Sequence, residues 1–222
     1  MKKLIVAFMA MAIALPSMAQ KNFEGTIIFS LDYKDLPAEM AAMSAMLPDE
    51  MTTQVTSTKT RIEQSLGMGM SQVTIVDIKK GSGVLLMDLM GKKMAMEMTK
   101  EELEKMDKKK TAEKKPEFKY VAGATKTIAG YKCEKAIVTV EGAGEMEIYY
   151  TKDLPAGASK QFEGLEGFPL EYTIKQGPMT ILVSATNVKQ EKLDKKLFEI
   201  PEGYDKMTFE EFQKSMGGMM GG

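Results

Sequence analysis

Methionine sets this sequence apart. It supplies 22 of 222 residues, against one Cys, no His and no Trp. Met40, Met43 and Met46 recur at the spacing of a helix face. Met94, Met96 and Met98 recur at that of a strand face, with Met87 and Met90 close by. A thioether does two kinds of chemistry. It is a soft ligand, so clustered methionines bind Cu(I). It is also an adaptable apolar filler, and Met-rich surfaces repack around apolar ligands of different shape. No His or second Cys is present to strengthen a copper site. Packing or ligand lining is therefore preferred, and a Cu(I) site built from Met40, Met43, Met46, Met94, Met96 and Met98 is the alternative.

The remaining candidates for chemistry are few. A reactive thiol needs a basic partner or a helix N-terminus. Cys133 has Lys132 and Lys135 nearby but stands at a strand start, so it reads as a small buried residue packed below the Gly130-Tyr131 turn. Arg61, the sole arginine, sits on the wet face of its strand and is expected to pair with Glu63 or a neighbouring carboxylate, a headgroup contact being the alternative. The run Lys108–Glu117 reads as a solvated surface loop, because acids dilute its lysines. There is no Gly-x-Ser-x-Gly elbow and no Walker loop. The absence of His removes the commonest general base. Lys+Arg number 30 and Asp+Glu 31, a net charge of -1 that argues against nucleic acid as a partner. No catalytic residue and no cofactor are expected.

The elements that must carry these residues are mostly strands. Phe23, Ile27, Phe29, Leu31 and Tyr33 alternate with polar residues, the period of a half-buried strand. Similar runs recur at 51–57, 60–66, 70–77, 83–90, 93–98, 132–141, 145–151, 169–175 and 179–188, separated by Gly-containing turns. Three short helices interrupt them. Asp35-Leu36-Pro37 opens the first, with Leu36, Met40, Met43 and Leu47 as its stripe and Pro48 as its stop. Thr99 with Glu102, and Thr208 with Glu211, are capping boxes for the other two. The expected fold is mainly β: one strongly curved antiparallel sheet, an open half-barrel, with helices near 36–47 and 100–107 covering its concave face. An apolar ligand in that concavity would be lined by Leu86, Met94, Met96, Met98, Met40 and Met43.

Four stretches carry a family likeness: Thr127-Ile128-Ala129-Gly130-Tyr131-Lys132-Cys133-Glu134, Tyr149-Tyr150-Thr151-Lys152-Asp153-Leu154-Pro155, Phe162-Glu163-Gly164-Leu165-Glu166-Gly167-Phe168-Pro169 and Leu197-Phe198-Glu199-Ile200-Pro201. In order and spacing they resemble an exported bacterial family of unknown function in the LolA-like superfamily of outer-membrane lipoprotein carriers. They are also similar to the secreted family named for a Gly-Leu-Pro-Gly-Leu-Ile motif. Glu166 replaces the Pro of that motif here, and Phe168-Pro169 follows its second Gly. The resemblance implies a LolA-like half-barrel over residues 22–205 and, by analogy, the holding of acyl chains. It implies no catalytic residues.

Lys2-Lys3, the apolar run Leu4–Leu15 and Ser17-Met18-Ala19 form a secretory signal over residues 1–19, with cleavage between Ala19 and Gln20. The run is too short to span a bilayer, and no lipobox Cys follows it. Residues 20–216 are expected as a single domain and 217–222 as a disordered Gly/Met tail. The whole reads as a periplasmic or secreted, non-enzymatic protein that binds a lipid or other apolar ligand. Copper handling and a scaffold for another envelope protein are the alternatives. Protein recovered from cell envelopes is expected to show the intact mass of a chain starting at Gln20; retention of residues 1–19 overturns this.

Overall fold

The computed structural model describes residues 23–36, 44–103, 116–140, 144–154, 162, 164–176 and 179–211. Twelve strands are described: β1 (Gly25–Lys34), β2 (Glu50–Val55), β3 (Lys59–Leu66), β4 (Met70–Asp77), β5 (Ser82–Leu89), β6 (Lys92–Met98), β7 (Phe118–Ile128), β8 (Tyr131–Val140), β9 (Gly144–Thr151), β10 (Phe168–Gln176), β11 (Met179–Gln190) and β12 (Asp205–Thr208). They form one open sheet in the order β12-β6-β5-β4-β3-β2-β1-β11-β10-β9-β8-β7. Two antiparallel meanders, β1–β6 and β7–β11, are thus joined edge to edge through β1 and β11. β12 departs from the expected antiparallel pattern, because it adds to β6 in parallel.

Local chemistry sets the hairpins. Met90-Gly91 and Ala129-Gly130 both have positive φ at both positions, the two-residue turn whose twist matches that of the flanking strands. They fix the pairs Leu89 with Lys92 and Ile128 with Tyr131. At the central seam Ile27 faces Val188, Phe29 faces Ala185 and Leu31 faces Val183. Ile27 and Val183 are fully buried there.

Residues outside the strands cover parts of the sheet. Residues 191–204 run from β11 across the first meander to β12, and Leu193 and Phe198 pack on Val73, Ile75, Leu86 and Ala95. On the second meander Phe162 and Leu165 pack on Ala136, Val138, Met146, Ile148 and Tyr150. The Phe162 ring meets Tyr172 edge-on at 4.8 Å. Gly167 lets the chain entering β10 lie close against the end of β9, since a side chain there would collide with the Thr151 carbonyl oxygen. This end of the sheet is also rolled. β7 approaches β11 to a Cα separation of 8 Å or less, where four strand spacings in a flat sheet measure about 19 Å.

The expectation of a mainly β, largely antiparallel, open sheet therefore holds. The expected helices are described only in part. The first is seen as a 3-10 turn, Ser44–Met46, with 37–43 outside the described residues. The second starts at Lys100–Leu103, and 104–107 lie outside. Both capping boxes close as read: Thr99 N–H donates to Glu102 at 2.7 Å and Thr208 N–H to Glu211 at 2.7 Å. The tail 217–222 is outside the described residues.

Phe198 is 7% exposed in a cluster that only the 191–204 segment completes. Phe198→Ala is expected to cost about 3 kcal/mol in urea unfolding, whereas Lys195→Ala, on the exposed side of the same segment, should change stability little.

Candidate functional site

The register sorts the methionines onto one face of the first meander. Met94 pairs with Met87, Met96 with Leu85 and Met98 with Gly83. Continuing across the sheet, Met87 pairs with Gln72, Leu85 with Thr74 and Gly83 with Val76, followed by Gln64, Ile62 and Thr60 on β3. Met94, Met96 and Met98 are buried, at 4–7% exposure, whereas Leu85, Met87, Ile62, Gln64, Gln72 and Thr74 are half-buried. This face grades from a closed thioether edge to a half-open mixture of alkyl and polar groups. A Cβ at Gly83 would lie 3.4 Å from Met98 Cε and 3.6 Å from Leu103 Cδ1, so the start of the second helix sits over this edge. Thr60 Oγ1, on the same face, is buried without a hydrogen-bond partner.

Leu86 is not part of this face. It pairs with Ala95 and Val73 and points to the opposite side, beneath Leu193 and Phe198. The lining set read from the sequence is therefore divided by the sheet: Met94, Met96 and Met98 stay together, and Leu86 is separated from them. The cause is the unbroken run Val84-Leu85-Leu86-Met87, whose alternate members face opposite ways. Met40 and Met43 lie outside the described residues, and Met46 ends the 3-10 turn.

A second concavity lies on the Leu86 side, between the sheet and residues 191–204. It measures about 260 Å³ and has Leu86, Leu197 and Pro201 as apolar walls and Arg61, Asp194 and Lys196 as polar ones. Arg61 Nη1 donates to Glu63 Oε2 at 2.6 Å and to Gln54 Oε1 at 3.0 Å. The pairing with Glu63 is the one expected, but the setting is drier, because the covering segment leaves the Arg61 side chain 14% exposed. The signal for this segment was Leu193, Leu197, Phe198 and Ile200, apolar residues without a period between β11 and the last capping box.

The second meander holds tight polar pairs. Lys126 Nζ reaches both oxygens of buried Glu171 at 2.7 Å, and Ser184 Oγ donates to the same carboxylate at 2.8 Å. Tyr150 donates to Glu134 at 3.0 Å, and burial together with that carboxylate pushes its phenol up to about 12. Cys133 is fully buried, with its Sγ 3.6 Å from the Tyr131 carbonyl oxygen. Burial pushes its thiol up to about 11, the opposite of what a nucleophile needs. Among the described residues no group of three or more His, Cys, Asp or Glu is placed to hold a metal ion. No helix among them is long and apolar enough to cross a membrane.

Residues 38–211 match the family model of the N-glycanase peptide, N-terminal domain. The chain belongs to that family. The LolA-like likeness of its motifs is not what this match reports. Two solved structures are similar to this N-glycanase-type N-terminal domain. An uncharacterized conserved protein from Thermus thermophilus shares 11% identity over 86% of this chain and 91% of its own, with a TM-score of 0.44. MucB shares 10% identity over 82% of this chain and 58% of its own, with a TM-score of 0.33. No curated protein is significantly similar.

The buried thiol yields a paired prediction. Cys133 should resist an aromatic disulfide reagent in the native protein and react at once in denaturant. An unfolded thiol ionises near 9, and the native one holds its proton to about 11. The native state therefore binds more protons between those values, so stability should fall as pH rises from 9 to 11. Cys133→Ala should remove that part of the fall. Tyr150 and Tyr172, both pushed up to about 12, should keep the fall going above it.

Proposed function

We propose that the chain is an exported, non-enzymatic binding protein that holds an apolar ligand, a lipid or an acyl chain, against the methionine face of its first meander. The observation that carries this reading is the graded face itself: buried Met94, Met96 and Met98 beside half-open Leu85, Met87 and Ile62. Flexible thioethers accept acyl chains of varied shape. Each CH₂ taken from water contributes about 0.8 kcal/mol. Half of a sixteen-carbon chain would thus supply about 6 kcal/mol, from which ordering costs are subtracted. Helices expected near 36–47 and 100–107 would act as covers over a curved sheet, and the signal at 1–19 would deliver the domain to the periplasm or medium. The family favours a second reading, in which the domain serves an N-glycanase as its N-terminal part and binds glycan instead.

The test is native mass spectrometry of protein purified gently from its own envelope, followed by lipid extraction. A co-purifying lipid is expected, and Met87→Lys, at a half-buried position, should release it without lowering the melting temperature by more than a few degrees. A protein that carries nothing and ignores fluorescent fatty acids at micromolar concentration overturns the reading. Cu(I) captured against a competing chelator would favour the metal alternative, and glycan capture the family one.

A further inference from the structure

We propose that the cleft beneath residues 191–204 is a second binding site, which takes a small carboxylate bearing a short apolar tail on Arg61. This site is on the opposite side of the sheet from the methionine face and does not depend on it. Arg61 is the chain's sole arginine, and its guanidinium has five N–H donors in a rigid fork. Only Nη1 is spent, on Glu63 and Gln54. Nε and Nη2 donate to no described residue, although the side chain is 14% exposed. A planar, weakly hydrated fork with an unspent edge in a drier setting is the geometry that receives a carboxylate in two-point contact.

The rest of the cleft fits the rest of such a ligand. Leu86, Leu197 and Pro201 form its apolar side, and Lys196 adds a second cation. The acids nearby are otherwise engaged or peripheral. Glu63 holds Nη1, Asp194 accepts the Lys196 backbone N–H at 3.0 Å, and Glu199 is an exposed rim residue. Tyr204 is half-buried and within electrostatic reach of Arg61. Burial and the neighbouring Asp88 push its phenol up, so it stays a neutral donor. Size is consistent with such a ligand. A cleft of about 260 Å³ is large enough to house a carboxylate with about five carbons.

The experiment titrates the full mature chain, carrying labelled methyl groups and arginine nitrogens, with hexanoate and with 1-hexanol by two-dimensional NMR. Hexanoate should shift the Leu86 and Leu197 methyl signals and the Arg61 Nε–H. Hexanol should move the same methyls roughly tenfold more weakly or worse, given the worth of a charged hydrogen bond. Arg61→Gln should abolish the preference for hexanoate and keep the hexanol response, while Arg61→Lys should keep part of the preference. The proposal is overturned if the wild-type chain responds to neither compound at tens of millimolar. It is equally overturned if both bind alike, or if Arg61→Gln binds hexanoate as the wild type does. Shifts confined to Met94, Met96 and Met98 would support the methionine-face reading and overturn this one.

Discussion

Everything in this molecule hangs on the pairing of β1 with β11. The two meanders are local structures, each built from hairpins whose strands are neighbours in sequence. Only the central seam makes them one sheet, and it joins Gly25 to Gln190. Closing so long a loop costs little more entropy than closing a shorter one, because the cost grows only with the logarithm of length. The gain is a seam lined by Ile27, Phe29, Val183 and Ala185. The covering segment depends on the same seam. Glu191 N–H donates to the Glu24 carbonyl, Leu193 N–H to the Glu24 carboxylate at 2.7 Å, and the Thr26 hydroxyl to Glu191 at 2.9 Å. Residues next to β1 thus aim the chain leaving β11 across the first meander.

What could be read from the residues follows from how local their causes are. Phe29, Leu31 and Tyr33 announce β1 because alternation is a property of a few neighbouring residues. The Thr99 and Thr208 capping boxes were legible for the same reason. β7 was not, because it lies at the edge and is exposed on both sides at Lys119, Tyr120, Ala122, Gly123, Thr125 and Lys126, so no alternation marks it. β12 has only four residues. The strand order was out of reach, since nothing near Gly25 names Gln190 as its partner. At the candidate site the methionine triplet was legible as one face, but Leu85-Leu86-Met87 gives no sign of which residue turns which way.

The two sides of the first meander have become chemically different surfaces. One side grades from thioethers to alkyl and amide groups, with the unpartnered Thr60 hydroxyl among them. The other is a closed apolar patch under a segment that carries charge at Asp194, Lys195 and Lys196, with one arginine at its margin. A single layer of strands keeps them apart, so a change on one side need not disturb the other. The second meander has no such division of labour. Phe162 and Leu165 pack over it, and its roll and the Lys126–Glu171–Ser184 link close it.

The parallel strand β12 has a consequence for how the protein lives with its neighbours. An open sheet offers two rows of unpaired backbone groups, and a second molecule can extend either one into a ribbon of chains. At one margin the row on β6 is taken by a strand of four residues, among them Asp205 and Lys206, which is too short and too charged to template another. At the other margin β7 breaks its own regularity between Val121 and Thr125, where Gly123 has positive φ, and sets Lys119 and Lys126 along its length. Both margins are therefore poor growth points for edge-to-edge pairing with a second copy of the sheet.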